Sequence, residues 1–190
     1  MCGARTALQD VTAAGRPELG LTAVLERAAA AAGGRTMTAE ERAWILTRVG
    51  TGADAGRGRE LYRRENLRCV ACHRIDREGG RVGPNLTAIG SAAQPDYLLE
   101  SLLDPAKNVK EGYGSLVVVT TDGQVTSGIP VSRSDTELVL RTALDKEVRL
   151  QLADIDEEAP GTSLMPAGLV DGLSKEEIAD LVRYLSALGR

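Results

Sequence analysis

Cys69-Val70-Ala71-Cys72-His73 is the stretch of this chain whose residue types and spacing define a chemistry. Two thiols three positions apart can add to the two vinyl groups on one edge of a porphyrin. The histidine that follows can then turn under the ring and coordinate iron. This is the attachment motif of haem c, and His73 is the only histidine in the chain. Three plainer readings compete. A redox dithiol would be flanked by a βαβ pattern, which is missing here. Half of a zinc site would need two further ligands, and only Cys2 and no second histidine remain to supply them. Chance is the third.

An iron held by His73 has a sixth position. Met1 and Met37 lie upstream, and Met165 lies in a loop just before the last expected helix. A thioether ligand raises the reduction potential and suits electron transfer. The alternative is that Met165 only fills a gap in the core. Lys107, Lys110, Lys146 and Lys175 fit less well, because a lysine must first lose its proton. Gly83-Pro84-Asn85-Leu86 follows His73 by ten to thirteen residues. A metal-bound histidine usually donates its other ring N–H to a carbonyl. Pro84, with fixed φ and no N–H, is a good source of that carbonyl; an ordinary Gly-Pro turn is the alternative.

The elements around these residues are read from capping and periodicity. Leu21 to Ala32 predicts a helix ended by Gly33-Gly34. Thr38 to Glu41 is a capping box opening a helix to about Val49, and Gly50 to Gly58 reads as a linker. A helix over Arg59 to about Glu65 precedes the cysteines. Pro95 opens another, carrying Leu98, Leu99, Leu102 and Leu103, which Asp104-Pro105 ends. Residues 115–152 change character. Ser115 to Thr120 is β-branched, Asp122-Gly123 is a hairpin signal, and Val125 to Val131 carries Gly128 and Pro130, marks of an edge strand or a bulge. Thr136 to Thr142 and an alternating Glu147 to Leu152 follow. A four-stranded antiparallel meander is expected there, then a loop from Ala159 to Gly172. Ser174 to Glu177 is a second capping box, and its helix aligns Ile178, Leu181, Val182, Leu185 and Leu188 on one face.

Composition sets outer bounds. The 190 residues are 43% hydrophobic and 26% charged, as in a folded soluble domain. The net charge of −4 argues against a nucleic-acid partner. No window reaches the roughly eighteen consecutive apolar residues of a membrane span. There is no Phe, one Trp and four Tyr, a poverty of rings that a porphyrin would offset.

Taken together, the helix before the cysteines, the CxxCH, Gly83-Pro84-Asn85-Leu86 and the last helix resemble class I c-type cytochromes. More narrowly, Val82 to Thr87, Tyr97 to Pro105, Gly112-Tyr113, Thr121 to Gly123 and Ser163 to Leu169 resemble the haem-binding domain of planctomycete and verrucomicrobial proteins. The resemblance covers about residues 53–190. It implies a mainly α chain with a cytochrome c fold; the small antiparallel β insert over about 115–152 and the N-terminal helical appendage over 1–50, read from the residues themselves, depart from a minimal cytochrome. It implies one covalent haem c on Cys69 and Cys72, Pro84 and Leu86 among the haem-binding residues, and His73 and Met165 as iron ligands. The expected function is electron transfer rather than enzymatic catalysis, with a redox partner protein or a fused dehydrogenase-type domain. The alternative is a gas sensor or peroxidase-like enzyme with a labile sixth ligand. The resemblance also implies a periplasmic or secreted location. Residues 1–20 show no apolar segment after a basic start, so an export signal is expected outside this sequence.

Charge is uneven along the chain. Arg57 to Arg81 holds eight arginines against four acids, and Asp154 to Asp180 holds eight acids against Lys175 alone. Such asymmetry steers a redox partner, or the two rows complement each other within the fold.

Overall fold

A computed structural model describes residues 34–190. The helix expected over Leu21 to Ala32, and the candidate residues Met1 and Cys2, lie outside the described residues. The chain divides into a helical unit, 34–108 with 167–190, and a sheet unit, 109–166. Among the described residues no helix is long and apolar enough to cross a membrane.

In the helical unit, α1 (Ala39–Thr51) opens on a reciprocal capping box. Thr38 Oγ1 accepts from the Glu41 N–H at 3.1 Å and Glu41 Oε2 accepts from the Thr38 N–H at 3.0 Å. α2 (Ala55–Arg63) begins at Asp54, whose Oδ1 accepts from the N–H groups of Gly56 and Arg57. The expected linker therefore shrinks to three residues, 52–54. After a 3₁₀ turn at Glu65–Leu67 come the single-turn α3 (Cys69–Cys72) and α4 (Ile89–Ala92), then α5 (Pro95–Leu103) and α6 (Lys175–Ala187).

α6 is the centre of this unit and packs against α1, α2, α4 and α5. Its Ile178, Leu181, Val182 and Leu185 are buried, at the three- and four-residue spacing that keeps side chains on one helix face. Ile45 and Val49 of α1, Leu61 and Tyr62 of α2 and four leucines of α5 are buried too. The residues at 39–50 thus belong to the helical unit rather than standing apart from it. The tightest approach between two helices is at Gly58. A Cβ there would sit 2.0 Å from the Asp180 carbonyl oxygen, so α2 meets the α6 backbone directly. The buried Asp180 carboxylate fastens the same crossing: Oδ1 accepts from the Asp54 N–H at 2.6 Å and Oδ2 from Arg57 Nε at 2.7 Å.

The sheet unit holds β1 (Leu116–Thr120), β2 (Val125–Arg133), β3 (Glu137–Arg141), β4 (Glu147–Gln151) and β5 (Ile155–Pro160). The strands are antiparallel in the order β4-β3-β2-β1-β5. Five flat strands would hold the outer two about 19 Å apart. Only Leu152–Asp154, a 3₁₀ turn, joins β4 to β5, a link that reaches at most about 14 Å. The sheet must therefore curl. β2 does the bending: Val125–Gly128 pair with β1, and Ile129–Arg133 pair with β3. Gly128 stands at the corner, where a Cβ would lie 2.9 Å from Leu140 Cβ. A bulge follows between Pro130 and Ser132. The strand order, the bent second strand and the 3₁₀ turn before the fifth strand curl the sheet around an aliphatic core. Val118, Leu138 and Leu140 form its core, with Leu116, Leu150, Leu152 and Ile155 packed against them.

The expectation of a mainly α cytochrome c fold carrying a small β insert is overturned. The described residues are 37% helix and 20% strand, and the strands make a five-stranded antiparallel sheet. The insert expected over 115–152 omitted β5, whose Ile-Asp-Glu-Glu-Ala-Pro sequence has few apolar residues and ends in proline. Its pairing partner β1 supplies the apolar contribution, with Val117 and Val118 buried. Gly128 and Pro130 do mark a bulge, but in a central strand.

Candidate functional site

The CxxCH residues are positioned by a reversal, a single helical turn and a returning loop. Arg68 adopts a left-handed backbone (φ 56°) and turns the chain into α3. The His73 N–H closes that turn on the Cys69 carbonyl at 2.8 Å. The Cys69 and Cys72 side chains are half-buried. Burial, with a smaller contribution from Cys72, pushes the Cys69 thiol up to about 11, so it carries its proton at neutral pH.

The loop after His73 folds back over α3. Gly80 N–H donates to the Val70 carbonyl (2.9 Å), Gly83 N–H to the Cys72 carbonyl (2.8 Å) and Leu86 N–H to the Arg74 carbonyl (2.8 Å). Thr87 and Asn85 fix the far end: Asn85 Oδ1 accepts from the Thr87 N–H at 2.9 Å, and Thr87 Oγ1 accepts from the Asp76 N–H at 2.6 Å. Three glycines permit this closeness. A Cβ at Gly79, where φ is +108°, would lie 2.1 Å from the His73 carbonyl oxygen, and one at Gly80 2.0 Å from that of Ala71. A Cβ at Gly83 would lie 2.3 Å from His73 Cε1. The imidazole occupies the space a side chain at 83 would need.

His73 Nδ1 stands 2.9 Å from the Pro84 carbonyl oxygen. A carbonyl only accepts, so Nδ1 carries the proton and Nε2 keeps its lone pair. Burial lowers the pKa of the ring, and the bond to Pro84 acts the other way. A neutral ring with a defined tautomer and a bare Nε2 is what a metal-ligating histidine requires. The backbone of His73 is held as well: Tyr62 Oη donates to its carbonyl at 3.0 Å.

These residues fit a haem attached at one edge. The thiols are one helical turn apart, the His73 ring is oriented, and the loop leaves that ring room. They do not fit a cysteine-rich metal site, because among the described residues no three His, Cys, Asp or Glu are grouped to hold an ion. The structure thus brings Cys69, Cys72, His73 and Pro84 together in the helical unit, with half-buried Leu86 bonded through its backbone to the same loop. Met165 belongs to the sheet unit, one residue from its end. It is half-buried, and its backbone N–H donates to Ser163 Oγ at 3.2 Å. Met37 is buried, only 8% exposed, near the start of the helical unit. Tyr62, Gly79 and Gly80 were not singled out by sequence reasoning. The run Gly79-Gly80 offered a signal, but Tyr62 looked like any apolar helix residue.

The basic row is partly neutralised within its own unit. Arg57 pairs with Asp180, Arg63 with Glu78 at 2.6 Å and Arg64 with Glu177 at 3.0 Å. Two of these acids belong to the acidic row, so internal complementarity accounts for part of the asymmetry.

A scan against protein-family models finds none that matches this chain, and a search of the curated proteins finds no match either.

Proposed function

We propose that this chain is a monohaem c-type electron carrier, with one haem held covalently by Cys69 and Cys72 and its iron held by His73. The observation that carries the reading is the His73 ring, fixed through Nδ1 on the Pro84 carbonyl at 2.9 Å and given its space by Gly83. Haem c bound in this way supplies a one-electron couple whose potential follows its axial ligands, hydrogen bonds and burial. The chain's residues do the rest. Two half-buried thiols anchor one edge. The Pro84 carbonyl orients the ligand and raises its basicity. Leu86, half-buried on the returning loop, is assigned an apolar contact with the ring. Met165 is proposed as the sixth ligand on the sequence argument, a soft thioether in a proline-stiffened loop. The partner is a redox protein or a fused dehydrogenase-type domain. Attachment of haem c outside the bacterial cytoplasm, which the family resemblance implies, makes this an exported module.

The test is optical and uses full-length protein matured with haem c. Wild type is expected to give a low-spin reduced spectrum and to bind CO slowly. Met165→Ala is expected to lower the potential, remove a sulfur-to-iron band at the red end of the ferric spectrum and bind CO rapidly. Rapid CO binding by wild type, with spectra unchanged by the substitution, would instead favour a sensor or peroxidase-like enzyme with a labile sixth site.

A further inference from the structure

His73 is gripped at two points, and only one of them belongs to the returning loop. Its ring is held by the Pro84 carbonyl. Its own carbonyl faces a crowded space, since a Cβ on Gly79 would lie 2.1 Å from that oxygen. Among the described residues no backbone N–H donates to it. A half-buried backbone carbonyl crowded in this way is stabilised by a donor, and losing that donor costs part of its desolvation as well as the bond. Tyr62 provides one, with its hydroxyl 3.0 Å away.

Tyr62 is itself tightly placed. It lies in α2, is 5% exposed, and its ring meets that of Tyr184 on α6 with centroids 5.7 Å apart. One turn earlier on α2, Gly58 rests on the α6 backbone at Asp180. The crossing of α2 on α6 therefore fixes the Tyr62 ring, and the ring aims the hydroxyl at the peptide that follows the iron ligand. We infer that Tyr62 is a positioning residue for His73, transmitting the docking of α2 on α6 to the orientation of the imidazole. A phenylalanine would fill the same core volume, so packing alone does not explain the hydroxyl. The inference deepens the haem reading and rests on it for its consequence at iron, but the hydrogen bond can be tested without haem.

The experiment compares Tyr62→Phe with Tyr184→Phe. Both remove a hydroxyl from the same ring pair, and only the first removes the bond to His73. In the full chain lacking haem, Tyr62→Phe is expected to shift the ¹³C resonance of the His73 carbonyl and to speed amide exchange at Gly80 and Gly83 about tenfold. Tyr184→Phe is expected to do neither. In the haem-loaded chain, the hyperfine-shifted haem methyl resonances, which report the imidazole plane, are expected to change spread in Tyr62→Phe alone. An unmoved carbonyl resonance, or equal effects of the two substitutions, overturns the inference. If wild type binds no haem, the functional reading fails while the carbonyl shift still decides the hydrogen bond. Should Tyr62→Phe not fold, the wild-type chain gives the answer: a slowly exchanging Tyr62 hydroxyl proton is expected, and rapid exchange of that proton contradicts the bond.

Discussion

Both units of this molecule bury an aliphatic core, and they differ in how much of their organisation rests on close backbone approach. The helical unit is organised at places where no atom can be added. Gly58 lies against the Asp180 carbonyl, Gly80 against that of Ala71 and Gly83 against the His73 ring. The sheet unit is organised around filled aliphatic volume, with Val118, Leu138 and Leu140 each fully buried. It contains no His or Cys and one methionine, Met165. Close backbone approach lets a short loop return over a histidine and hold it. Filled volume makes a scaffold whose positions are set by bulk. Adding a methyl at Gly58, Gly80 or Gly83 should therefore harm the helical unit, and removing methyls from Val118, Leu138 or Leu140 should harm the sheet unit.

The largest effect expected is all-or-none. Replacing Cys69 and Cys72 together by serine should abolish covalent haem while leaving the far-ultraviolet signature of the sheet intact. Loss of the sheet signal as well would remove the distinction between the two units. Next comes Leu138→Ala in the sheet core, expected to cost about 3 kcal/mol through lost burial and a residual cavity, read from the midpoint of chemical denaturation. Gly58→Ala follows. Alanine would favour the helix by about 1 kcal/mol, but the added Cβ meets backbone that cannot swing aside. Overpacking of about 1–3 kcal/mol should win, so a net loss is expected where propensity alone forecasts a gain. A stabilised Gly58→Ala variant would break the comparison.

The smallest effect is shared by the units. Backbone N–H bonds hold the Asp54 carboxyl below the ordinary carboxylate range, and the Thr120 hydroxyl, followed by the Gln124 N–H, does the same for Asp122. A depressed carboxylate contributes stability that is present above its unfolded pKa and lost as pH falls through the folded one. Both units should therefore weaken modestly below about pH 4. Asp54→Asn and Asp122→Asn, each followed by acid titration, should flatten that fall within the unit each occupies.

Legibility in the sequence tracked the same division. Both capping boxes, the proline at the start of α5 and the apolar face of α6 are local signals, and each element appears where its signal stands. Four strands were legible because alternation and the Asp122-Gly123 turn are local too. β5 was not, because its reason to exist is pairing with β1 nearly forty residues away in sequence. The curling of the sheet, which changes the fold class, depends on that same long-range pairing. At the site, Pro84 was legible from the chemistry a ligand histidine needs, and its carbonyl lies at hydrogen-bond distance. Tyr62 was not, since a hydroxyl on an apolar helix face says nothing of which carbonyl it will meet.

The central claim is covalent attachment of one haem through Cys69 and Cys72. The direct measurement is intact mass of the full chain, matured in a periplasm with haem c assembly, before and after extraction with acidified organic solvent. The account predicts a mass greater than the bare polypeptide by one haem, unchanged by extraction, with the adduct mapped to the peptide holding Cys69 and Cys72. A chain that emerges at its bare mass, or haem that leaves with the solvent, would contradict it.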